Sequence, residues 1–208
     1  MAVLAAADLR AIYALLDQGQ TVDAAGGAVD CGSRCDKFCC RPANTTKYLL
    51  PGERQFLEAA TRARGDAPFA FRDLYFFESL DEPAERACAC EPLRELRPFN
   101  CRVFPYSPAL EGHRVVGVKK SRLKYLAPCW IEEPAPRWRA GAVEAWQRVL
   151  DDVDSRLLFC RLGALWEWHQ ASERGEQVGH ALTAVAGIDA ADVEDCWARV
   201  ARFFSRTD

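Results

Sequence analysis

Four of the chain's ten cysteines fall within CGSRCDKFCCRP, at Cys31, Cys35, Cys39 and Cys40. Four more follow at Cys88, Cys90, Cys101 and Cys129. Thiolates at this density are the ligand set of zinc or of an iron–sulfur cluster. Cys160 and Cys196 stand apart, each inside an apolar helical pattern, and read as small buried hydrophobes.

Spacing limits how the first four thiols can be used. In a straight helix Cys31, Cys35 and Cys39 would share one face, with Cys40 about 100° away. Cys31 and Cys39 would then be about 12 Å apart along the axis. Sulfurs on one tetrahedral zinc lie about 3.8 Å apart, given bonds of ~2.3 Å. Either the segment turns back on itself, with Gly32 to assist, or the ligands divide between two ions or a polynuclear cluster. The neighbouring side chains of Cys39 and Cys40 diverge and suit that division. Arg34, Lys37, Arg41, Arg97 and Arg102 stand within a few residues of a thiol. They are placed to offset thiolate charge and to donate hydrogen bonds to sulfur. For Arg97 and Arg102, wedged between cysteines and prolines, a surface position is the weaker reading.

CGSRCDKFCC, followed by a second cysteine group and then RPFNCRVFP, resembles the YkgJ-type cysteine-cluster family, the CxxCxxCC zinc- or iron-chelating proteins. The likeness runs from Cys31 to Cys129. Here three residues, Asp36-Lys37-Phe38, precede the double cysteine where family members usually have two, and a single residue separates Cys88 from Cys90. The resemblance implies metal binding, with zinc and iron both open. It extends to flagellin lysine N-methylases, which implies an iron–sulfur modifying enzyme as the alternative. No glycine-rich S-adenosylmethionine fingerprint accompanies it.

The rest of the composition narrows the setting. The net charge of -3 over 208 residues argues against gripping nucleic acid through bulk charge. In MAVLAAADLRAIYALLDQGQ the apolar run meets Asp8 and Arg10 too early for a signal-peptide core or a membrane span. A cytoplasmic, non-membrane setting is expected. Thiols stay reduced there, which disfavours a disulfide framework and empties the Asn44-Thr45-Thr46 sequon of meaning.

The elements that must carry these residues are mostly helical. The first segment reads as an amphipathic helix using Leu4, Ile12, Leu15 and Leu16. PGERQFLEAATRARG predicts a second helix, with Pro51 suited to its first turn, Glu53 at its positive end and Gly65 to stop it. FAFRDLYFFESL leans towards a strand, with the charged turn DEPAERA after it, and HRVVGVKK has strand composition. The prolines between 92 and 136 exclude long regular elements there. From Pro136 the apolar spacing gives one long helix or two. A last helix starting at Asp189 or Asp192 uses Val193, Trp197, Val200, Phe203 and Phe204.

The expectation is therefore an α+β, predominantly helical protein, a single domain over 1–208. A loop-rich cysteine and metal-binding core with short strands (28–131) is flanked by helices, including a C-terminal helical region (136–206). The core stretch has little periodic apolar pattern, so metal binding is one way to hold it. Three functions compete: a structural zinc site in an interaction module with a protein partner, an iron–sulfur oxidoreductase or protein-modifying enzyme, and a disulfide-bonded chain. No catalytic constellation is legible. His113, His169 and His180 are scattered; His113 reads as an exposed turn residue and His169 as a helix-surface or core-edge residue. Lys119, Lys120, Arg122 and Lys124 beside Tyr125 form a solvated strand end. Trp138, Trp146, Trp166 and Trp168 are assigned to packing.

Overall fold

The computed structural model describes residues 4–17, 19, 21–22, 28–29, 48–67, 69–74, 76–80, 96–120, 133–171, 185–189 and 193–205. It shows a predominantly helical α+β fold with short two-stranded antiparallel sheets and flanking helices. Helix α1 (Ala6–Leu16) buries Leu9, Ile12, Tyr13 and Leu16 on one face. Strands β1 (Thr21–Val22) and β2 (Ala28–Val29) form a minimal ribbon.

The sequence LLPGE then makes a tight entry into α2 (Glu53–Arg64). Gly52 adopts φ 86 and ψ -10, and the Glu53 N–H donates to the Leu50 carbonyl at 2.9 Å. This is a type II turn, with proline and glycine at the two central positions that favour them. Pro51 therefore sits in the turn before the helix, one step earlier than expected. The helix ends at Gly65, whose N–H bonds to the Arg62 carbonyl at 3.2 Å.

FAFRDLYFFESL is a hairpin rather than one strand: β3 (Phe71–Leu74) pairs with β4 (Phe77–Leu80), with Phe71 opposite Leu80. Arg54 ties α2 to this hairpin, donating to Asp73 at 3.1 Å and Glu78 at 3.2 Å. RPFNCRVFP yields the five-residue helix α3 (Phe99–Val103). It leads to β5 (Tyr106–Glu111), which pairs with β6 (Arg114–Lys120). Pro108 lies inside β5, and a two-stranded ribbon tolerates it because both strands are edges.

The C-terminal pattern resolves into two helices, α4 (Pro136–Asp151) and α5 (Val153–Ala171). The break falls at Asp152, where ψ turns to 124. Its carboxylate accepts from the Ser155 N–H at 2.7 Å, the bond of an N-cap aspartate. Gln147 of α4 holds the β5–β6 hairpin, accepting from the Val115 N–H at 2.7 Å. The final helix, α6 (Val193–Ser205), buries Cys196, Trp197, Val200 and Phe204.

Trp146 sits where these elements meet. Its ring lies 4.8 Å from Phe99 of α3, 5.4 Å from Phe159 of α5 and 5.2 Å from Phe204 of α6. The stretch 28–131 has little periodic apolar pattern, yet its described residues Leu49, Leu50, Leu57, Leu80, Leu96, Phe99, Val103, Tyr106 and Val115 join the same buried cluster as α1, α4, α5 and α6. Their spacing is irregular because each short element contributes one or two apolar residues to a shared interior. Trp166 is no core residue; it is 39% exposed, whereas Trp138 and Trp146 are buried.

Candidate metal centre

Cys101 is the member of the expected ligand set that lies among the described residues. Cys31, Cys35, Cys39, Cys40, Cys88, Cys90 and Cys129 lie outside them, as do Arg34, Lys37, Arg41, Arg122, Lys124 and His180. Among the described residues no three His, Cys, Asp or Glu side chains form a group that could hold a metal ion.

Cys101 occupies the middle of α3 and is partly exposed, while Phe99, Arg102 and Val103 on the same short helix are buried. The turn is held from several sides. Phe99 packs its ring on Trp146 and donates its backbone N–H to Glu53 Oε1 at 2.5 Å. Arg102 Nε donates to the Arg97 carbonyl at 2.7 Å, and its Nη1 donates to Asp17 at the end of α1. The same guanidinium lies 4.0 Å from the centroid of the Tyr13 ring, a cation–π contact in a largely dry setting.

Glu53 is the polar centre of this arrangement and is 0% exposed. Oε1 accepts from Tyr13 Oη–H at 2.6 Å as well as from Phe99, and Oε2 accepts from the Leu50 N–H at 2.8 Å. Burial raises its carboxyl above the ordinary value; the hydrogen bonds from Tyr13, Phe99 and Leu50 and the charge of Arg102 pull it back only in part. The Tyr13 and Tyr48 phenols are also pushed up, by burial first and then by the Glu53 charge, with Cys101 adding to both.

Arg97 and Arg102 are 7% and 6% exposed, so neither is a surface cation. Tyr48 marks where the chain leaves the first cysteine segment. It is bridged to Ser79 of β4, and the next residue, Leu49, donates to the Glu78 carbonyl at 2.8 Å.

The sequence reading missed Glu53 as a core acid, along with Tyr13, Tyr48 and Asp17. Its one available signal was the Pro-Gly turn, which fixes an acid at the first helical position. The partners lie 40 and 46 residues away in the chain, beyond any local pattern.

The two outlying cysteines behave as expected. Cys160 is 0% and Cys196 3% exposed, and the Cys160 thiol is pushed up to about 12, by burial first and then by its hydrogen bond with Cys196. A thiol kept neutral and dry is a poor nucleophile. Cys160 should resist iodoacetamide in the folded chain and react after denaturation; native-state alkylation at Cys160, read by peptide mass, would contradict its burial. His113 lies in the exposed β5–β6 turn, stacked on Trp197 with centroids 4.7 Å apart.

No protein-family model matches this chain, and no curated protein or solved structure matches it either. The likeness to the cysteine-cluster family therefore rests on the quoted residues alone. No described helix is long and apolar enough to cross a membrane.

Proposed function

We propose that this chain is a metal-binding protein of the cysteine-cluster kind. Thiolates drawn from Cys31, Cys35, Cys39, Cys40, Cys88, Cys90, Cys101 and Cys129 hold zinc or an iron–sulfur cluster. The role is structural, in a cytoplasmic interaction module that meets a protein partner. The observation that supports it is the contrast among cysteines. Cys101 stands partly exposed on a turn whose neighbours are locked by a buried carboxyl, a buried guanidinium and an aromatic core, whereas Cys160 and Cys196 lie in the interior. A ligand on a preorganised support is what a metal site requires.

The test compares metal content per chain in purified variants. Cys39→Ser and Cys101→Ser should each lower bound metal well below the wild-type level and reduce solubility in the Cys39 case. Cys196→Ser should leave metal content unchanged. Equal loading in wild type and Cys101→Ser would remove Cys101 from the site.

A further inference from the structure

We propose that Glu53 is a positioning residue for the Cys101 thiol: its carboxylate fixes the backbone of the Phe99–Val103 turn and thereby sets the direction from which Cys101 meets a metal. This rests on the metal centre proposed above. Three observations lead to it. Glu53 Oε1 takes the Phe99 N–H, two residues before the thiol, at 2.5 Å. The carboxylate is itself held by Tyr13 Oη–H and the Leu50 N–H, so it cannot rotate without breaking bonds in two other segments. Tyr13 then carries the guanidinium of Arg102, the residue after the thiol, on its ring face. Phe99, two residues before Cys101, and Arg102, the residue after it, are thus referred, directly or through one ring, to the same acid.

An outer group that orients a ligand without touching the metal characteristically changes affinity by about 10- to 100-fold when altered. A merely structural acid lowers stability and leaves the metal's own signature alone. Cobalt(II) separates the two, because its visible bands report ligand geometry. Full-length wild type, Glu53→Gln, Tyr13→Phe and Gly163→Ala are titrated anaerobically with cobalt(II). Gly163→Ala is the stability control; its Cβ would lie 3.2 Å from Phe203 Cβ at the α5–α6 crossing, far from the turn in the chain.

Glu53→Gln offers one acceptor oxygen where two served three donors. It should bind cobalt about tenfold more weakly with displaced visible bands, and Gly163→Ala should keep the wild-type spectrum. Tyr13→Phe removes one of the three bonds and should shift the bands less, in the same direction. It also carries the test if Glu53→Gln does not fold. Wild-type spectra and affinities in the folded Glu53 and Tyr13 variants would overturn the positioning role and leave the metal centre standing. A wild type that, stripped of bound metal, takes up neither cobalt(II) nor an iron–sulfur cluster on reconstitution with iron and sulfide would overturn the metal centre, and the positioning role with it.

Discussion

Glu53→Ala lowers the unfolding free energy by about 4 kcal/mol, within the range for breaking a buried, hydrogen-bonded charge network. The substitution leaves Tyr13 Oη–H and the N–H groups of Leu50 and Phe99 without their acceptor in a dry interior. Each such orphan costs about 1–3 kcal/mol. Part of that is offset because the cost of burying the carboxyl disappears with it. Urea unfolding at fixed pH reads the difference, and a loss below about 1 kcal/mol would show that these donors find other partners.

The same residue sets a pH dependence. Its folded carboxyl titrates above the ordinary value of 4.5, with burial as the main cause. Between that value and the raised one, the folded chain holds a proton that the unfolded chain has released. Stability therefore falls as pH rises through this window, and Glu53's favourable contribution is fully present below it. Glu53→Gln carries no such proton. Its stability relative to wild type should improve as pH rises through the window, and a parallel pH profile for the two proteins would contradict the assignment.

Gly141→Ala is the second large effect. In an ordinary helix interior this change gains about 1 kcal/mol, because glycine is the poorer helix former. Here the sign reverses. A Cβ at position 141 would lie 2.1 Å from the carbonyl oxygen of Leu15. The obstacle is backbone, so no rotamer change relieves it, and α1 must move off α4. That crossing also carries Leu16 and Ile12 into the core. A net loss of about 3 kcal/mol is expected, the upper end for overpacking. Thermal or urea unfolding of Gly141→Ala tests it; a variant as stable as wild type would mean that the two helices do not cross closely at this point.

Particular residues show how far the sequence could be read. Ile12 and Leu16, the α2 stop at Gly65, and the apolar stripe of the last helix all follow from local spacing, and the structure bears them out. For Arg97 and Arg102 the enclosing prolines and cysteines make a surface position the weaker reading, and both are buried. What local spacing could not reveal is pairing at a distance. Nothing in PGER says that Glu53 will meet Tyr13 and Phe99, since each partner becomes a neighbour only after three segments converge. The core of 48–80 and 96–120 was hidden for the same reason: short elements add single apolar residues to an interior that belongs mainly to the helices.

Elemental analysis with a visible spectrum, on protein purified anaerobically, tests the central claim most directly. The account predicts stoichiometric bound metal: zinc with no visible colour, or iron with sulfide and a brown absorption. Protein that carries neither zinc nor iron, with its cysteines paired by mass in disulfides, would contradict it.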